Sequence, residues 1–170
     1  MTLRPLLRLG ALPLLLACSG DGGGDDEGTG LEDSFGEVDG SWVYGGETLS
    51  FVGGVAYGNA FFHDDRAVVA LTTWDDASCA GGDWLQQKDG YLLEVPFDAG
   101  SGVEEGMLQD CETVDGGYFC GGASYPDVQV DLDAEGTTRG DPVSGTLSIL
   151  DADGGVEAEI TFNVVYCGEE

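Results

Sequence analysis

Thirty-three Asp and Glu residues and a single histidine are the side chains with which this 170-residue chain would do acid–base or metal chemistry. A general base near neutral pH is most often imidazole, so a Ser-His-Asp or Cys-His arrangement would have to use His63. It stands in Phe62-His-Asp-Asp-Arg66, between two apolar runs, and no Gly-x-Ser-x-Gly elbow accompanies it. The expectation there is a solvated turn whose charges partly pair. A carboxylate-dependent hydrolase is the alternative enzyme, but a catalytic pair must differ in environment, and so many acids hide which two would. Calcium is the sharper possibility. Asp131-Leu-Asp-Ala-Glu-Gly136 puts Asp131, Asp133 and Glu135 at alternating positions with Gly at the sixth, the opening half of a calcium loop. The second half fails, with Arg139 at position nine and Pro142 at position twelve. A related turn holds Asp151, Asp153 and Gly154. Weak calcium binding by these loop acids is therefore an expectation to test, and no other cofactor is implied. Trp84, in a Gly-rich stretch, is the best candidate for a sugar-stacking aromatic, while the other tryptophans, Trp42 and Trp74, read as core.

The five cysteines divide by position. The chain opens with Arg4 and Arg8, runs through apolar residues 9 to 17, and reaches Leu15-Leu-Ala-Cys18. This is secretory signal architecture, too short an apolar run to span a bilayer. The last four residues resemble the bacterial lipobox. The resemblance implies that Cys18 becomes the first residue and carries a diacylglyceryl group, anchoring the chain to a membrane through two or three acyl chains. Ser19 in place of Asp leans toward the outer membrane. The other four, Cys79, Cys111, Cys120 and Cys167, are an even number in an exported chain, so two disulfides are expected. The nine-residue spacing and the Asp115-Gly-Gly117 turn favour Cys111 with Cys120, leaving Cys79 with Cys167. No Cys-x-x-Cys pair points to zinc.

Elements must then hold these residues in place. Residues 1–17 read as a signal peptide. Residues 18–34 contain the lipidated Cys and a tether with six acids, six glycines and no base, which cannot bury enough surface to offset ordering entropy. From 35 to 170 short apolar or alternating runs are separated by Gly and Asp clusters. Ten strands are predicted: 41–44, 48–52, 56–62, 66–74, 91–97, 107–111, 118–120, 127–132, 145–150 and 156–166. The clearest pair is the last. Leu147 and Ile149, then Val156, Ala158, Ile160, Phe162 and Val164, alternate with polar residues around Asp151-Ala-Asp-Gly-Gly155. No stretch has a helical apolar period. The expected fold is all-β, a single antiparallel β-sandwich of about 8–10 short strands.

Charge limits the partners. The chain has 33 acids against 5 Lys and Arg, a net charge of −28, with 42% apolar and 9% aromatic residues. The apolar share suits a folded core, and the missing basic patch argues against nucleic acid. Residues 35–170 hold 27 acids against Arg66, Lys88 and Arg139, a net of −24. The lipobox, the tether and the closing stretches Ser144–Ile149 and Ile160–Cys167 are together similar to bacterial lipoproteins with a C-terminal β-sandwich ending in Cys. That resemblance implies a cell-envelope location and no particular activity. The expectation is a lipid-anchored, non-catalytic binding or structural module whose partner is protein, glycan or cation, with a calcium-dependent adhesion or glycan-binding module as a further alternative.

Overall fold

Alternation of apolar and polar residues builds most of the strands. The computed structural model describes residues 36–60, 63–64, 66–75, 77–79, 88–97, 102–115 and 117–169. Cys18, the signal-like segment, the tether and Trp84 lie outside them. Eleven strands form: β1 Glu37–Tyr44, β2 Glu47–Phe51, β3 Gly53–Ala60, β4 Arg66–Thr72, β5 Gly90–Pro96, β6 Gly102–Glu105, β7 Met107–Val114, β8 Gly117–Ser124, β9 Asp127–Ala134, β10 Pro142–Leu150 and β11 Val156–Glu169. The fold is all-β. No helix among the described residues is long and apolar enough to cross a membrane.

The strands join in one curled, mixed sheet ordered β6-β9-β10-β11-β3-β4-β5-β7-β8, with β1 and β2 added beside β11. Its two leaves meet at β11. Over most of its fourteen residues this strand pairs with β10, and at Gly40–Ile160 to Glu37–Asn163 with β1, all antiparallel. Its last residues then pair with β3 in parallel, Tyr166 opposite Ala56 and Glu169 opposite Gly58. The expected antiparallel pairing thus holds at every junction but this one. Carrying one long strand from leaf to leaf joins the two as continuous hydrogen-bonded sheet.

The core lies between the leaves. From the first come Trp42, Leu49, Phe51, Val128, Val130, Leu147, Ile149, Ile160 and Phe162, and from the second Val69, Leu71, Leu93, Val95 and Leu108. The β10–β11 hairpin appears in the expected register, Leu147 opposite Ile160 and Ile149 opposite Ala158. Its turn is closed by Asp151, whose Oδ1 accepts hydrogen bonds from the backbone N–H of Asp153 at 2.9 Å and of Gly155 at 2.7 Å. Gly154 adopts φ +80°, a conformation open to glycine at little cost. At the β9–β10 register shift a side chain on Gly145 would collide with the backbone carbonyl of Asp131. Only glycine lets the two strands approach there.

The second leaf is also covered on its other face. Val55, Tyr57, Val68, Ala70 and Leu92 pack there with Trp74, Ala77 and Cys79 from the chain after β4. Sheets buried on both faces lose polar alternation, and β4, Arg-Ala-Val-Val-Ala-Leu-Thr, is such a run.

Candidate functional site

Two features of the doubly covered leaf have chemical potential, the disulfides and a small buried polar cluster. Cys79 is bonded to Cys167, with 5.1 Å between their Cα atoms, and Cys111 to Cys120, at 4.0 Å. The first ties the end of β11 to the chain after β4. The second joins directly opposed residues of the β7–β8 hairpin. Arg139 reinforces the first bridge by donating from Nη2 to the carbonyl oxygen of Cys79 at 3.0 Å.

The polar cluster forms around Glu94. In β5, Leu93 and Val95 face the core between the leaves, so Glu94 faces the other way, onto the apolar surface with Leu92. It is the one buried carboxylate among the described residues. Burying an ionised carboxylate costs several kcal/mol unless it is hydrogen-bonded or paired. Tyr57, from β3, donates its hydroxyl hydrogen bond to Glu94 Oε1. Gln109, from β7, donates from Nε2 to Glu94 Oε2 at 3.2 Å. Three strands of one leaf therefore converge on this carboxylate. His63 completes the group from the turn between β3 and β4. Its Nε2 lies 3.9 Å from Glu94 Oε2, and both side chains are only 8% exposed. The next residue, Asp64, has φ +56°, a left-handed conformation that Asp tolerates in turns.

This corrects the solvated turn expected at His63. The local sequence, with three charged residues directly after His63, concealed that its side chain lies over the sheet beside Glu94. His63 Nε2 is buried with no hydrogen-bond partner among the described residues. Glu94 and Gln109 were not singled out from sequence. The available signal was a Glu inside the apolar run Tyr91-Leu-Leu-Glu-Val95, where a solvated acid has no place.

The five acids considered for calcium do not come together. Asp131 and Asp133 point to solvent from β9, and Glu135 follows that strand, also exposed. Asp151 and Asp153 sit in the β10–β11 turn, and the Asp151 carboxylate is occupied by the turn's own N–H groups. Register separates the two sets: Ala134 pairs with Ser144, whereas Val128 pairs with Ile149, next to the turn. Asp131 itself pairs with Thr146, five residues along β10 from Asp151, so even the nearest members of the two sets stand about 16 Å apart at 3.3 Å per residue. No group of three or more His, Cys, Asp or Glu able to hold a metal is found among the described residues.

The acids make a face instead. Glu37 and Asp39 of β1, Asp131 and Asp133 of β9, and Glu159 of β11 are exposed on the outer side of the first leaf, whereas Glu157, at the bulge, accepts a hydrogen bond from Trp42 Nε1 at 3.2 Å. Thr146 and Thr161 lie between Asp131 and Asp39 in the register. The three bases of the domain are engaged elsewhere, Arg66 with Glu104 at 2.9 Å, Lys88 with Asp75 at 4.0 Å, and Arg139 with Cys79. Beside this face, Gly36, Val38, Val52, Phe162 and Asn163 line an open groove of about 580 Å³. No family model, curated protein or solved structure matches the chain.

Proposed function

We propose that the chain is an exported, lipid-anchored protein of the bacterial cell envelope, in which a disulfide-stapled acidic β domain serves as a non-catalytic binding or structural module. The cysteine accounting supports this reading. Both bridges use all four cysteines of residues 35–170, so the fifth is Cys18, at the end of Leu15-Leu-Ala-Cys18. Two closed disulfides suit an oxidising compartment, and a lone cysteine behind a short apolar run suits acylation. The outer membrane, reached through the acyl chains, is the proposed address. The outer face of the first leaf is the proposed contact surface. Five exposed acids with no base among them favour a cationic partner, a basic protein segment or a polyamine, over short range at physiological salt.

The test is metabolic labelling. The full chain, expressed in a bacterium fed an alkyne-bearing palmitate, should take up label and partition into detergent, and Cys18→Ala should lose both properties. An unlabelled wild-type chain, or label retained by the variant, would end this reading.

A further inference from the structure

We propose that the outer edge of β8 takes up an extended basic peptide as an added strand, with one of its Arg or Lys side chains laid over the ring of Phe119. Unpaired strand edges invite further strands, and proteins guard them with charges or by keeping them short. At one end of this sheet β6 has only four residues, two of them Glu104 and Glu105, and β2, beside β1 alone, carries Glu47. β8, Gly-Tyr-Phe-Cys-Gly-Gly-Ala-Ser, forms the other end. It pairs with β7 alone among the described strands and has no charged residue, in a chain of net charge −28. Its regular part runs from Gly117 to Gly121, opposite Val114 to Asp110 of β7, and beyond it Gly122, at φ +67°, begins a bulge.

The side chains on one face of this edge select the kind of strand that fits. Phe119 is 65% exposed, and a side chain on Gly121 would collide with its ring, so the ring lies across that glycine. Glu112 stands directly opposite Phe119, and Asp110 opposite Gly121, both exposed and on the same face. An aromatic ring beside carboxylates favours a cationic side chain, which is attracted by the negative face of the ring and by the charge. In an added strand the residue opposite Phe119 would lie about 4.8 Å from it and about 10 Å, two strand spacings, from Glu112. An Arg and a Glu together span that distance. The Cys111–Cys120 bridge joins opposed residues of the hairpin, so the edge is already ordered and binding costs little further freedom on this side. A second copy of the chain is the poorer occupant, because it brings the same charge of −28 to the contact. This surface is separate from the acidic outer face of the first leaf.

The test is a titration of the full chain, labelled with ¹⁵N, with a short end-capped peptide in which Arg alternates with Thr and Val. The backbone amide resonances of Gly117 to Gly121 should shift and saturate, and a peptide with Glu in place of Arg should leave them unmoved. A copy N-methylated throughout keeps its charges but cannot donate backbone hydrogen bonds, and it should not move them either. Phe119→Ala should weaken binding about fivefold, and Phe119→Lys, which puts a charge on the edge, should abolish it. Val156→Ala, at a comparably exposed apolar residue of β11, should leave the affinity unchanged. Shifts confined to Asp131, Asp133 and their neighbours would overturn the proposal and leave the first leaf as the contact. Undiminished binding of the N-methylated copy overturns it as well, as do β8 resonances that move with protein concentration alone, the mark of a second copy on the edge.

Discussion

The two leaves of the sheet are built from the same kind of strand and differ in what covers them. The first, from β6 through β9, β10 and β11 to β1 and β2, buries one face and shows the other to water, so its strands alternate strictly: β10 and β11 change from buried to exposed or half-buried at almost every residue. The second, β3, β4, β5, β7 and β8, is packed on the core side through β4, β5 and the start of β7 and covered on the other over β3 to β5, while β8 buries no residue fully. Its β4 and β5 are buried over five consecutive residues each. The covered leaf also carries both disulfides and the Tyr57–His63–Glu94–Gln109 cluster. A face open to water can hold acids at almost no cost, which is why the charge of the chain gathers on the first leaf. A polar group on a doubly covered leaf must find specific partners, so the unusual chemistry collects on the second.

The disulfides provide the strongest way to break that contrast. Replacing Cys79 and Cys167 together by Ala frees a loop of 88 residues and should cost about 4.5 kcal/mol if crosslinks act by restricting the unfolded chain. Replacing Cys111 and Cys120, only nine residues apart, should cost about 2.5 kcal/mol on the same basis. Urea unfolding of the two double variants checks the order, and a larger loss from the short bridge would show that native contacts of the β7–β8 hairpin outweigh chain restriction.

Next in size is a pair of neighbours on the first leaf. Ile160 is fully buried and Glu159 is exposed. Ile160→Ala should lose about 2–5 kcal/mol through the cavity it leaves, and Glu159→Ala should stay within about 0.5 kcal/mol of the parent chain. Comparable losses at both positions would mean that the outer face of this leaf is covered in solution.

The smallest effect separates the leaves by pH. Burial, aided by the charges of Asp110 and Glu47, holds the Tyr91 phenol above its ordinary value of 10.0. Burial and then Asp89 raise Tyr118 against a hydrogen bond with the backbone of Lys88, and burial and then Glu169 raise Tyr166. A group that keeps its proton longer in the folded state contributes stability that is complete below its unfolded pKa and is lost as pH rises through the folded one. Melting temperature should therefore fall as pH climbs above about 10. The double variant Tyr91→Phe, Tyr118→Phe should flatten that fall, since two of the three phenols belong to the second leaf. An unchanged slope would move the alkaline sensitivity to other groups.

Legibility followed the same division. Nine of the strand positions read from alternation or apolar runs begin and end within a few residues of β1 to β5, β7 and β9 to β11, because a half-exposed strand writes its two faces into the chain as a period of two. Tyr118–Cys120 marked only part of β8. β6 was missed altogether: Gly102-Val-Glu-Glu105 is short and polar and leaves Val103 57% exposed at the sheet edge, so no apolar pattern announces it. Four cysteines left three pairings open; the local hairpin spacing of Cys111 and Cys120 favoured the one that forms, and the structure decided it. The acids at 131, 133, 135, 151 and 153 had the composition of a calcium loop, yet strand register keeps the two sets at least five residues apart along β10.

The amino-acid sequence alone determined that the domain is all-β, that its four cysteines should form two disulfides, with Cys111 and Cys120 the favoured local pair, and that its charge must lie at a wetted surface, since each follows from local periodicity, spacing or composition. Only the tertiary structure decided that β11 carries the sheet from one leaf to the other and that a histidine in a charged turn is buried against a glutamate 31 positions away. Such meetings depend on which strands become neighbours, and that choice is made by the burial of the whole apolar surface at once.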